Sequence, residues 1–222
     1  MAIFDEELMH LKGKLLKMGS MVEGAIKISI QALLDRNNAL AQRIIENDHL
    51  VNTLDVEIDE ESIRLIALRQ PKAGDLRFIT TAMKITTDIE RMGDLAVDIA
   101  ERAIELNDEP MLKPYIDIPR MAEIARGMVR DSLDALVRGD TKLALDVINR
   151  DDEVDQLNLQ VFNELLFFMI QDPHTVSRAT RITYISKYLE RIADHATNIA
   201  EMVIYLVEGK IIRHMAPPAE TA

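Results

Sequence analysis

Two segments of the chain, 100 residues apart, carry the same pattern of acidic residues. Residues 90–101 read ERMGDLAVDIAE and residues 190–201 read ERIADHATNIAE, so both fit E-R-x-x-D-x-A-x-[DN]-I-A-E. Carboxylate oxygens are hard ligands that suit Mg, Mn, Ca or ferric iron. The chain has no cysteine, which excludes thiolate zinc and iron–sulfur sites. The chemistry that these segments favour is therefore metal binding through oxygen ligands.

Each segment places its acids along one side of a helix. At about 100° per residue, the acids of the first segment fall within an arc of about 80°, and its apolar residues lie nearly opposite. Like charges at i,i+4 cost a helix about 0.2 to 0.5 kcal/mol per pair, so the column predicts a compensating cation. The two stripes are Glu90, Asp94, Asp98 and Glu101, and Glu190, Asp194, Asn198 and Glu201.

Two further stripes precede these segments along the chain. The first consists of Asp48, Asn52, Asp55 and Asp59 within an arc of about 60°, and the second of Asp151, Asp155 and Asn158 within a similar arc. Each could face the acidic segment of its own half, and bridging carboxylates could then hold more than one ion. The alternative is that all four stripes are solvated helix faces whose charges are neutralised by Lys and Arg.

The elements that position these acids are six long predicted helices, because the prolines, together with Gly139 and Gly209, fall where a helical interpretation needs breaks. The predicted helices span residues 4–35, 39–69, 74–106, 120–138, 141–171 and 174–208. Helices of this length are typical of bundles. The sequence therefore predicts an all-α fold.

The repeated segment and the matching breaks indicate an internal duplication. We expect two tandem three-helix bundles, at residues 1–109 and 120–213, joined by a linker at 110–119 that contains three prolines. Residues 214–222 are expected to be a disordered tail.

The composition of the chain excludes some classes of function. The formal net charge of -12 disfavours nucleic-acid binding, which depends on Lys and Arg neutralising phosphates. The longest apolar run, residues 165–170, is far shorter than the roughly 20 residues that span a bilayer. We expect a cytoplasmic protein that reaches a membrane only through its partners.

The acidic segments, together with residues 70–77 (QPKAGDLR), resemble the PhoU family of bacterial phosphate-signalling regulators over essentially the whole chain except the tail. The resemblance implies two three-helix bundles side by side and a metal motif in each. It also implies negative regulation of phosphate uptake and of the phosphate-starvation response, without catalysis. The implied partners are the ATPase subunit of the phosphate ABC transporter and a phosphate sensor histidine kinase, and we expect a homodimer because family members often pair.

Carried over by resemblance, the metal motif falls on Glu90, Asp94 and Asp98, and again on Glu190 and Asp194. The second copy departs from the pattern at Asn198, a weaker neutral ligand, so metal occupancy could differ between the halves. The resemblance leaves the ion open among iron, zinc, magnesium and manganese. Two other functions stay open: a metal-dependent hydrolase or di-iron oxidase that uses the same carboxylates, and a purely structural scaffold.

Overall fold

A computed structural model describes residues 3–209, which fold into a helical bundle without a strand in that range. The α-helices are α1 (Ile3–Leu34), α2 (Asn38–Asn47), α3 (His49–Arg69), α4 (Ala73–Asn107), α5 (Asp117–Arg138), α6 (Thr141–Gln171) and α7 (Val176–Glu208). The all-α prediction with six long helices is confirmed, with the second predicted helix present in two pieces, α2 and α3. The predicted tail at 214–222 lies outside the described residues.

Three helix ends form where the sequence supplies a capping residue. The side chains of Asn37 and Asp140 accept hydrogen bonds from the first backbone N–H groups of α2 and α6. Gly139 ends α5 in the left-handed conformation, at φ 64°, which a residue without Cβ adopts at little cost. The starts of α2 and α6, which lead into Asp48 and Asp151, are thus fixed locally.

The second predicted helix is interrupted at Asp48, which the sequence prediction missed. Beside the break, Asn47 Nδ2 donates to the backbone oxygen of Arg43 at 2.8 Å, and His49 Nδ1 hydrogen-bonds the backbone oxygen of Glu46 at 2.8 Å. Polar side chains that bind nearby carbonyls compete with the helical ladder. The interruption therefore falls at the first member of an acidic stripe.

Two other helix starts differ from the predicted ones, both at prolines. α5 begins at Asp117 rather than at residue 120, because Pro119 lies in its first turn, where backbone N–H groups have no helical partner. At the other site, Pro173–Thr175 form a single 3₁₀ turn before α7 begins at Val176.

The two halves meet along a seam in which α4 and α7 run antiparallel. Arg181 of α7 donates to Glu105 of α4 at 2.6 Å, and further along, His195 hydrogen-bonds Asp88 at 2.8 Å. In this register the equivalent residues Met92 and Ile192 lie nearest the middle of the seam, and both are fully buried. The two copies of the acidic segment are therefore side by side and related by a near-twofold axis.

A second contact between the halves is made by α1 and α5. A Cβ added at Gly19 of α1 would lie 2.0 Å from Leu133 Cδ1 of α5, so a larger residue there would force the Leu133 side chain to move. Most buried apolar residues of both halves form one continuous cluster, and a small separate cluster lies between α1, α2 and α4. The division into domains at 1–109 and 120–213 stays a prediction, since the bundles share this core.

The linker is tied to the second half. Lys113, which is buried, forms an ion pair with Glu164 of α6. Leu112 and Tyr115 pack against the core. Within residues 3–209, no helix combines the length and the apolar character that crossing a membrane requires.

Candidate metal centres

The first acidic cluster consists of Asp48, Asp55, Glu90 and Asp94, and it lies where α2 and α3 face α4. Burial raises the pKa of Glu90, and the negative charges of Asp94, Asp55 and Asp48 raise it further, while Arg91 opposes them. Burial also raises the pKa of Asp55, and the negative charge of the neighbouring Asp59 raises it further. The structure thus brings together acids from two stripes that the sequence predicted to face each other.

The second acidic cluster consists of Asp151, Asp155, Glu190 and Asp194, and it lies between α6 and α7. Burial, followed by the charges of the other three acids, raises the pKa of Asp151 to about 7. Burial and the charges of Glu190 and Asp155 raise the pKa of Asp194 as well. A carboxyl surrounded by carboxylates in a half-buried site is stabilised by a proton or by a cation.

Two oxygens of the second acidic cluster are buried without a hydrogen-bond partner. These are Oδ1 of Asp151 and Oε2 of Glu190. A buried acceptor that lacks a donor is costly, and a bound cation would satisfy both oxygens. The donor set, oxygen only and rich in carboxylate, fits a hard metal ion.

The carboxylates of each cluster interact through their charges without forming a closed ligand shell. Within residues 3–209, no three His, Asp or Glu side chains are gathered as they stand into a group that could hold a metal ion. The pKa shifts show proximity of charge, whereas coordination requires oxygens converging on one point at about 2.0 to 2.6 Å. A metal ion would therefore need these side chains to turn toward it.

Basic side chains neutralise part of each cluster. Arg91 lies 3.6 Å from Glu90 and 3.3 Å from Asp94, and Lys187 forms an ion pair with Glu190. The Arg91 side chain is 58% exposed to solvent, so each of its pairs contributes little. Salt bridges to Lys and Arg, the alternative considered for these stripes, thus account for some of the charge but leave the raised pKa values of Glu90, Asp151 and Asp194.

Two predicted ligands lie beside the seam. Asn198 donates to Asp88 of the other half at 3.4 Å. Burial and the negative charge of Glu101 raise the pKa of Asp98. The charge of Asp94 raises it further, while Arg102 and Arg191 lower it. Asn198 thus contacts the opposite half directly, and Asp98 lies near enough to Arg191 and Tyr188 of that half to interact with them through its charge. The other four predicted ligands of α4 and α7 lie beside the acids of their own half, and these are Glu90, Asp94, Glu190 and Asp194.

Sequence reasoning missed two polar residues that shape these centres. Asp88 accepts hydrogen bonds from His195 and Asn198, an arrangement that depends on the register of α4 against α7 and leaves no local signal. Lys187 did leave a signal, since it precedes Glu190 by three residues on the same helix face. The equivalent position in the first half is Thr87.

Comparison with known proteins gives matches over both halves. The PhoU domain matches residues 15–103 and again residues 118–203. A phosphate-specific transport system accessory protein PhoU homolog from Aquifex aeolicus is 46% identical over 209 residues, which cover 94% of this chain and 95% of that protein. A protein of the same description from Clostridium acetobutylicum is 43% identical over 209 residues, with 94% and 95% covered.

Solved structures agree with these matches. The crystal structure of PhoU from Pseudomonas aeruginosa superposes with a TM-score of 0.90 at 41% identity and covers 93% of this chain and 100% of that one. The phosphate transport system regulatory protein PhoU from Streptococcus pneumoniae superposes with a TM-score of 0.86 at 29% identity, with 94% and 98% covered. The duplicated fold is thus shared along the whole length of both structures.

Proposed function

Because this chain belongs to the PhoU family, we propose that it is a cytoplasmic accessory protein of a phosphate-specific transport system and a negative regulator of phosphate uptake. The observation that carries the proposal is similarity over nearly the full length, 46% identity across 94% of the chain, to a protein named for that role. Members of the family are accessory and regulatory proteins, and the chain is not an enzyme. The alternative of a metal-dependent hydrolase or oxidase has no support.

In this proposal the chain acts through docking. One partner is the ATPase subunit of the phosphate ABC transporter, and the other is a sensor histidine kinase, so that repression of the starvation response follows the state of the transporter. A helical bundle with rigid, capped elements and exposed helix faces suits such a role, because docking needs preformed surfaces. A homodimer would present each surface twice.

The acidic clusters are proposed to hold metal ions that stabilise the docking-competent form. The residues that would hold them are Glu90 and Asp94 with Asp48 and Asp55, and Glu190 and Asp194 with Asp151 and Asp155. A bound ion would supply positive charge to carboxylates that burial and mutual repulsion leave unfavourably charged. Support comes from the buried, unpartnered oxygens of Asp151 and Glu190.

Deleting the gene tests the regulatory role. In the native host, with a reporter of the phosphate-starvation response, we expect expression in phosphate-rich medium to rise to the level of starved wild-type cells. A plasmid copy of the gene should restore repression. A deletion strain that stays repressed in rich medium would contradict the proposal.

Metal content after native purification tests the acidic clusters. The double variant Glu190→Gln, Asp194→Asn should abolish metal binding in the second half. The double variant Glu90→Gln, Asp94→Asn should abolish it in the first half. Each variant removes two carboxylates that would ligate the ion. The readout is elemental analysis of the purified proteins. The matched control is Glu57→Gln with Glu61→Gln, a pair with the same spacing that instead contacts Lys14. Equal metal content in all four proteins would refute the metal sites.

A further inference from the structure

The outer face of α6 carries a row of exposed apolar side chains that the acidic clusters do not explain. We define the α6 stripe as Leu159, Phe162, Leu166 and Ile170, which fall within an arc of about 80° and extend over about 17 Å of helix. Leu159 is 60% exposed, Phe162 44% and Ile170 72%. The opposite face of α6 packs its apolar residues, including Val161 and Leu165, into the core.

Two residues of the stripe, Leu166 and Ile170, belong to the apolar run at residues 165–170. Only Leu165 of that run is buried, while Leu166, Phe167 and Ile170 are exposed. Scattered apolar residues on a surface need no explanation, but a contiguous row that includes aromatic side chains is characteristic of interaction sites. Its length and spacing match the i, i+3, i+4, i+7 anchors by which one amphipathic helix docks on another.

The charges around the stripe indicate which kind of partner could bind there. Residues 151–171 contain five acids and no Lys or Arg, and on the same face as the stripe, two turns before Leu159, lies the exposed Asp152. Two of the five acids, Glu153 and Glu164, pair with Arg120 and Lys113 from other elements. Asp151 and Asp155 belong to the second acidic cluster. The negative surplus beside the stripe is therefore the exposed Asp152, and the chain as a whole carries a charge of -12.

A second copy of the chain, or an anionic membrane, would bring negative charge against this surplus. Like charges brought together at an interface disfavour a partner, whereas Lys and Arg beside an apolar anchor would be attracted. We infer that the α6 stripe is the docking surface for an amphipathic helix of a partner protein whose apolar face is flanked by Lys and Arg. The inference rests on the proposed function, to which it adds the surface and the chemistry of the partner.

The other half supplies a matched control surface. Val56 and Ile63 of α3 occupy the positions equivalent to Leu159 and Leu166, and they are similarly exposed, at 55% and 58%. Between them lies Asp59, where α6 has Phe162, and Arg64 follows where α6 has Phe167. The apolar row is therefore broken by charge in the first half and continuous in the second.

The test uses the full chain and a synthetic helical peptide as the probe. The peptide carries Leu and Phe at i, i+3, i+4 and i+7 with Lys and Arg on both flanks, and a twin peptide carries Glu in place of Lys and Arg. We expect the basic peptide to bind the wild type and the Val56→Ser, Ile63→Ser control equally. Binding to the Leu159→Ser, Leu166→Ser variant should be weaker by about tenfold or more, as truncated interface anchors give. Circular dichroism should show unchanged helix content in both variants.

Several results would overturn the inference. The first is that the basic peptide does not bind the wild type. The second is that it binds the Leu159→Ser, Leu166→Ser variant as tightly as the wild type. The third is that the peptide carrying Glu binds the wild type as tightly as the basic peptide does. Sedimentation showing that the same variant converts a dimer into a monomer would assign the stripe to a second copy, and stripe-dependent binding to phosphatidylglycerol vesicles would assign it to a membrane. The peptide experiment and the reporter experiment are independent. If the chain binds the peptide but gene deletion leaves repression intact, the proposed function is refuted and the docking surface is still supported.

Discussion

Replacing Asp151 with asparagine should make the metal-free protein more stable at pH 8 and leave its stability near pH 4 almost unchanged. In the folded chain the pKa of Asp151 is raised to about 7, first by burial and then by the charges of Asp194, Asp155 and Glu190. In the unfolded chain the carboxyl titrates at its usual pKa of about 3.9. Above pH 7 the folded protein must therefore hold an unfavourable charge that asparagine does not carry.

The direction of the pH dependence follows from proton linkage. Between about pH 4 and pH 7 the folded state binds the proton of Asp151 and the unfolded state does not, so the stability of the wild type falls as the pH rises. Each pKa unit corresponds to about 1.4 kcal/mol, but water around a half-buried carboxyl reduces the effect, and we expect about 1 to 2 kcal/mol.

The measurement is urea unfolding at several pH values after treatment with a chelator. Asp152→Asn, a change at the exposed neighbouring acid, is the control and should alter stability little at either pH. If Asp151→Asn were destabilising at pH 8, Asp151 would be held by favourable contacts and the strain assigned to the second acidic cluster would be absent.

Ile192→Ala should lower the free energy of unfolding by about 2 to 4 kcal/mol, since truncating a buried Ile removes transfer free energy and leaves a cavity. Ile192 is fully buried at the middle of the seam, opposite Met92. The matched control is Ile170→Ala, because that isoleucine is 72% exposed and its truncation should change stability by less than about 0.5 kcal/mol.

The same experiment reports whether the halves unfold together. Because α4 and α7 share one core, the loss at Ile192 should shift a single transition seen equally by circular dichroism and by tyrosine fluorescence. Two separate transitions, with only the second displaced, would mean that the halves are independent domains. Denaturant unfolding of both isoleucine variants provides the measurement.

The helices were predictable because the residues that start and stop them act locally. Gly139 and the proline at residue 173 break the helical pattern wherever the chain lies in space, so most boundaries agree within a few residues. The break at Asp48 was not predictable in the same way, because Asn47 and His49 compete for carbonyls only through particular side-chain conformations. Pro119 shows the opposite error, since a proline in a first turn does not exclude the helix.

For the candidate site, the sequence predicted which acids share a helix face but not what each face meets. Asp94 and Asp194 lie with the acids of their own half, as the helical arcs indicated. Asn198 has the same spacing within its segment, yet it lies against Asp88 because the packing of α4 on α7 decides its surroundings. Helical periodicity predicts only the direction in which a side chain points from its own helix. Which residue it contacts across the seam depends on the register of α4 against α7.

The near-twofold seam also bears on how the two repeats have diverged. A pair of identical subunits must place the same residue at both symmetry-related positions. In this chain Asp88 corresponds to Tyr188, His195 to Leu95 and Asn198 to Asp98. Covalent fusion of the repeats thus permits one end of the seam to carry an acid–imidazole contact and the other an aromatic ring, so the two ends can differ in charge although the backbone repeats.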